Sequence, residues 1–111
     1  MLKGFGDLAN LIKNARDIQQ KVDSLKQSLV ETPAEGVSGG GLVRIKGRAD
    51  GTVQSVDLDP ATVQRGDVEM LEDLVLAAIN SFNQNLAEHR RAKLAELTGG
   101  LGLPPGMDLG L

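Results

Sequence analysis

The sequence predicts an α+β chain in which a small antiparallel sheet lies between two helices much longer than its strands. Three observations carry this reading: an unbroken heptad spacing in the first 30 residues, an Asp-Gly pair between two alternating runs, and a second apolar stripe at helical spacing from residue 71 onward. With 111 residues and 41% of them hydrophobic, the chain has room for one core.

Leu8, Leu11, Ala15, Ile18, Val22, Leu25 and Leu29 alternate steps of three and four without a miss. A helix over residues 8–30 follows, capped by Asp7, stopped before Pro33, and ~35 Å long at 1.5 Å per residue. So narrow a seam wants a helical partner, first the chain's own second helix and next another subunit. Residues 31–41 are a breaker-rich connection with room for one short edge strand.

Leu42 to Ala49 and Thr52 to Asp59 flank Asp50-Gly51, a strong hairpin signal. With those two residues as the turn, Ala49 pairs with Thr52, Gly47 with Gln54, Ile45 with Val56 and Val43 with Leu58, which puts four apolar residues on one face. The other face pairs Arg48 with Val53, Lys46 with Ser55 and Arg44 with Asp57, the last of these across opposite charges. Past Pro60 and Gly66, Asp67 is an N-cap, and Glu69, Glu72 and Asp73 crowd the positive end of the helix dipole. Leu71, Leu74, Val75, Ala78, Ile79, Phe82 and Leu86 make the apolar stripe of a second helix over residues 68–97, ~45 Å long, with a stop at Gly99-Gly100. Residues 1–98 therefore read as one domain, and 99–111 as an extended Gly/Pro-rich tail. A hairpin this small with overhanging helices buries little by itself, so a homodimer is expected.

Composition removes whole classes of chemistry. The chain has no Cys, so it has no disulfide, thiol nucleophile or Cys-based metal site, and it has a single His. No run approaches the ~18 apolar residues of a membrane span and the start lacks the apolar core of a secretory signal, so a cytoplasmic location is expected. No cofactor or metal is expected either: the acids at residues 67–73 lie within the first turns of one helix, and Gly39-Gly40-Gly41 lacks the Gly-Lys-Ser/Thr ending of a phosphate loop. His89, beside Arg90 and Arg91, reads as a surface residue.

The formal charge of −3 does not mark a nucleic-acid binder, so such a role must rest on local patches. Two aromatic residues in the whole chain argue against single-strand stacking and leave duplex backbone contact open. The patches are three. Arg44, Lys46 and Arg48 share one strand face, with the second and third of them the more available because Asp57 engages the first. Arg90, Arg91 and Lys93 stand at the far end of the second helix. Lys3, Lys13, Arg16, Lys21 and Lys26 lie on the first, where residues 1–30 hold five bases against Asp7, Asp17 and Asp23, a net +2. A solvated face laced by pairs such as Asp17 with Lys21 explains any one of these clusters alone, but explains three of them less well.

Three stretches resemble the YbaB/EbfC family of bacterial nucleoid-associated proteins: the opening from Met1 to Leu8 running into Leu11-Ile12-Lys13-Asn14-Ala15, the helix segment from Met70 to Asn80, and the closing Thr98-Gly99-Gly100-Leu101-Gly102-Leu103-Pro104-Pro105-Gly106-Met107. The resemblance implies an α-β-β-β-α chain, a tweezer-like homodimer joined through its sheet region, and double-stranded DNA gripped by projecting helices with little base preference. It also implies roles in nucleoid organisation and gene regulation, without catalysis or a small-molecule substrate. Lys13, Arg16, Arg90, Arg91 and Lys93 fit the positions on those helices, and Lys46 and Arg48 add a strand contribution. Pro33 departs from the pattern and points to a first strand that is short or absent. The rival reading is a dimeric protein-interaction adaptor with incidental DNA contact.

Overall fold

The computed structural model describes the backbone of residues 2–101 and the side chains of residues 6–97. Helix α1 (Leu2–Glu31) leads into strands β1 (Pro33–Ser38), β2 (Val43–Arg48) and β3 (Val53–Leu58), then a short helix α2 (Pro60–Gln64) and the long helix α3 (Val68–Leu101). The described part of the molecule is an elongated body of 77 × 22 × 17 Å.

Helix α1 starts earlier than the sequence reading has it, so Asp7 lies inside the helix and is not its cap. Glycine costs a helix about 1 kcal/mol relative to alanine but does not forbid it, and Gly4 and Gly6 are both helical. At the other end the Thr32 hydroxyl donates to the Ser28 carbonyl at 2.6 Å, and Pro33 opens the next element. That proline does not shorten β1, which has six residues and pairs with β2 along its whole length. A proline at the first residue of an edge strand removes no necessary ladder bond. Gly39, Gly40 and Gly41 then turn the chain with φ of 58°, 69° and 107°, a run of positive angles that only glycine takes without strain.

The β2–β3 register agrees with the sequence reading for Val43↔Leu58, Arg44↔Asp57, Ile45↔Val56 and Lys46↔Ser55. It then slips at a bulge, so that Gly47 faces Val53 and not Gln54. The physical reason lies in the turn. The Gly51 N–H bonds the Arg48 carbonyl at 3.0 Å and the Arg48 N–H bonds the Thr52 carbonyl at 2.8 Å, so Ala49, Asp50 and Gly51 form a three-residue loop in place of the expected two. Gly47 is required here, because a Cβ at this position would collide with the Thr52 carbonyl. Asp50 braces the loop by accepting from the Thr52 N–H and hydroxyl, both at 3.0 Å, which hold its carboxyl below the usual aspartate range.

Between β3 and α3 the chain forms a short helix, α2, that the sequence periodicity does not predict. Its signal is Asp59-Pro60: Asp59 caps the helix by accepting from the Thr62 N–H at 2.9 Å and hydroxyl at 2.8 Å, with proline in the first turn. For α3 the expected cap is present, the Met70 N–H donating to Asp67 Oδ1 at 3.1 Å. The helix continues through Gly99-Gly100 to Leu101 and does not stop at the glycines. Residues 102–111 lie outside the described part, and with them most of the expected tail.

The three strands lie in the order β1-β2-β3, and α3 crosses them over β1 and β2. Leu29, Ala34, Val43, Ile45, Ala49, Ala78, Phe82 and Leu86 form the buried core between helix and sheet. Helix α3 also seals the β1 side: the Ser38 hydroxyl donates to the Leu74 carbonyl at 2.6 Å, the Val37 N–H donates to the Ser81 hydroxyl at 3.3 Å, and the Asn85 amide donates to the Glu35 carbonyl. The far side is not covered. Every residue of β3 is exposed, Val56 at 50% and Leu58 at 40%, although both share the face that buries Ile45 and Val43.

A second apolar cluster joins Ile18, Val22 and Leu25 to Leu94 and Leu97, so α1 and α3 run antiparallel beyond the sheet. The seam of α1 therefore packs on the chain's own second long helix over its second half only. Leu8, Leu11, Ile12 and Ala15, in its first half, are exposed.

Candidate nucleic-acid interface

Charge is sorted along the length of α3. From residue 68 to 86, the part over the sheet, it carries Glu69, Glu72 and Asp73 and no base. From 87 to 97 it carries Arg90, Arg91 and Lys93 against Glu88 and Glu96, a net +1. Arg90 and Arg91 are exposed, while the Lys93 side chain is only 28% exposed, with its Nζ 3.9 Å from Glu96 Oε2. On α1, Lys13 and Arg16 are exposed and lie beyond Ile18, where the packed part of the helix pair ends. With Leu97 lying against Val22 and Leu25, the antiparallel arrangement spreads the cations from Arg90 to Lys13 over ~25 Å. The side chain of Lys3 is outside the described part.

The strand cations are arranged differently from the expectation. Arg44 stands opposite Asp57 in register, yet its ion pair is with Glu35 on β1. Asp57 is taken instead by Lys46, Nζ to Oδ2 3.4 Å, and Arg48 donates to the Glu31 carbonyl at 3.3 Å. Neither Lys46 nor Arg48 is therefore the free cation the register suggested; the long side chains reach diagonally across the strands as readily as straight across. Both line an open groove of about 760 Å³ with Gln54, Asn85 and His89, at the root of the projecting helices. His89, expected at the surface, lines this open groove and is half-buried in it.

Lys21, counted in the first-helix patch but outside the expected contact set, comes together with α3. Lys21 of α1 and Lys93 of α3 line a single cleft of about 280 Å³ between the helices, together with Ser24, Ser28, Leu25 and Glu96. Among the described residues the ion pairs are Arg44 with Glu35, Lys46 with Asp57 and Lys93 with Glu96, so Lys21 is not engaged by Asp17. The heptad spacing held the signal: Lys21 and Ser28 each precede a seam residue, Val22 and Leu29, at the position that flanks a helix interface.

Among the described residues no group of three or more His, Cys, Asp or Glu comes together to hold a metal ion, and no helix is long and apolar enough to cross a membrane. The profile of the YbaB/EbfC DNA-binding family matches residues 4–101. The chain belongs to that family. A relative in Rhodopseudomonas palustris (strain HaA2), named a nucleoid-associated protein, is 38% identical over 106 residues, covering 96% of this chain and all of that protein. The crystal structure of the uncharacterized protein HP0035 from Helicobacter pylori superimposes with a TM-score of 0.69 at 20% identity, over 86% of this chain and 97% of that one, and shares its fold. In this member of the family, Lys13, Arg16, Arg90 and Arg91 are exposed on the projecting helix pair, and Glu69, Glu72 and Asp73 lie on the part of α3 over the sheet.

Proposed function

We propose that the chain binds double-stranded DNA as a homodimer, through phosphate contacts and with little sequence preference, and that it organises the nucleoid and influences gene expression without catalysis. The observation that carries this is the sorting of charge: the projecting pair presents Lys13, Arg16, Arg90, Arg91 and Lys93, while Glu69, Glu72 and Asp73 sit away from them at the sheet end. For a protein of formal charge −3 to hold a polyanion, the contact must be locally positive: residues 6–30 and 87–97 of the pair each net +1, whereas residues 68–86 net −3. Family membership and the nucleoid-associated relative support the same partner and a location on the chromosome in the cytoplasm. Lys46 and Arg48 join at the root of the helices with a smaller share, since each already has an internal partner.

Dimerisation draws on an apolar surface at the other end. Val56 and Leu58 on the uncovered β3, with the groove of about 370 Å³ lined by Val68, Leu71, Val75, Leu76 and Ile79, form a surface that a second copy would bury. Titrating unrelated duplexes with the purified protein at several salt concentrations tests the reading. Binding that is nearly equal across sequences, with log K falling against log salt at a slope of roughly −4 to −5 for about four to six neutralised phosphates, supports it. No binding at low salt overturns it.

A further inference from the structure

The cleft between α1 and α3 has the makings of a phosphate seat. Two lysines from different helices reach it, Lys21 and Lys93, and two hydroxyls, Ser24 and Ser28, stand on the same wall. Its floor is apolar, Leu25 and Leu97 being buried in the helix-helix contact, so the Lys93 stem lies against apolar surface and leaves its ammonium at the rim. Against these two cations the cleft lining holds one acid, Glu96, which is 71% exposed and 3.9 Å from Lys93, a separation at the edge of ion pairing. The cleft is thus left with one uncompensated positive charge and two neutral donors.

We infer that this cleft seats one backbone phosphate of the duplex, held jointly by Lys21 and Lys93 with the Ser24 and Ser28 hydroxyls as donors, and that Glu96 competes with that phosphate for Lys93. The inference rests on the DNA-binding reading above and adds to it a residue on α1, a seat shared by two helices, and an acid that limits affinity. A phosphate between two lysines replaces a weak exposed pair by charge-assisted hydrogen bonds from both sides, and this links the two helices as well as the DNA.

Four variants of the full chain test it on one duplex across a salt series: Lys21→Gln, Lys93→Gln, the two together, and Glu96→Gln. Lys26→Gln on α1, outside the cleft lining, controls for the loss of one positive charge. The shared seat predicts that Lys21→Gln and Lys93→Gln each flatten the salt slope by about 0.9 for each cleft engaged, that the double variant loses less affinity than the product of the single losses, and that Glu96→Gln binds more tightly with a steeper slope. Lys26→Gln should change the slope less than either cleft lysine. Equal effects from Lys26 and Lys21, fully multiplicative losses in the double variant, or unchanged binding in Glu96→Gln each overturn the seat. If the unaltered protein binds duplex DNA and an Arg90→Gln/Arg91→Gln variant weakens it while Lys21→Gln does not, the seat fails and the broader reading stands; if the unaltered protein binds none, the broader reading itself fails. Helical circular dichroism and mass in solution, unchanged in every variant, separate these outcomes from misfolding.

Discussion

Gly36 and Phe82 meet backbone to backbone: a Cβ on Gly36 would run into the Phe82 amide nitrogen and Cβ, and into the Ala78 carbonyl. This contact sets how closely α3 lies on β1, and with it the positions of Ser81 and Asn85, whose side chains meet β1 backbone groups. Gly36→Ala should therefore destabilise the fold by about 3 kcal/mol, at the upper end for overpacking, because backbone on both sides cannot give way. Denaturant unfolding measures it; a midpoint unchanged from the unaltered protein would show that α3 can slide off β1 without cost.

Burial separates two substitutions that the paired register places side by side. Ile45 is buried beneath α3, whereas Val56, opposite it, is half-exposed on β3. Ile45→Asp should unfold the chain, at a cost above ~3 kcal/mol for an unpaired buried carboxylate. Val56→Asp should keep the helical signal and, given the proposed dimer surface, halve the mass from about twice 11.7 kDa. Light scattering behind a sizing column, with circular dichroism, reads both, and a Val56→Asp protein still of dimeric mass would move the interface elsewhere.

Stability should carry an acid limb from Asp59. Hydrogen bonds from the Thr62 hydroxyl and N–H hold its carboxyl below the ordinary value of 3.8. A carboxyl lowered in the folded state binds its proton less readily there than in the unfolded chain, so its contribution is complete above 3.8 and is lost as the pH falls through the lowered value. The stability gap between the unaltered protein and Asp59→Ala should thus be constant at neutral pH and close in acid, which urea titrations at several pH values would reveal. A gap that persists unchanged below that range would mean the cap acts without its charge.

Among the cations, position should outweigh number. Removing Arg90, Arg91 and Lys93 together should weaken binding to all duplexes alike and flatten the salt slope, since phosphate contacts carry no base information. Removing Lys13 and Arg16 should act in the same direction. The pair Lys46→Gln/Arg48→Gln should have less effect, because Asp57 and the Glu31 carbonyl already occupy those groups. A larger loss from the strand pair than from the α3 triple would place the contact at the groove beside His89.

What could be read along the chain was what repeats at short range. A period of two residues defined the pairing from Val43↔Leu58 to Lys46↔Ser55, where the bulge offsets the longer loop, and a seven-residue spacing defined α1, since both depend only on which face a side chain takes. Beyond that reach the tertiary structure decided. The bulge at Gly47 depends on the length of the loop, the diagonal pairing of Lys46 with Asp57 on β1 supplying Glu35 to Arg44, and the packing of the second half of the α1 seam on how α3 returns beside it. The cleft of Lys21 and Lys93 depends on a contact between residues more than 70 positions apart, for which a sequence period holds no register. The open β3 has the same origin: its alternation calls for a covered face, but α3 is wide enough for two strands, and only the packed molecule shows which strand stays uncovered.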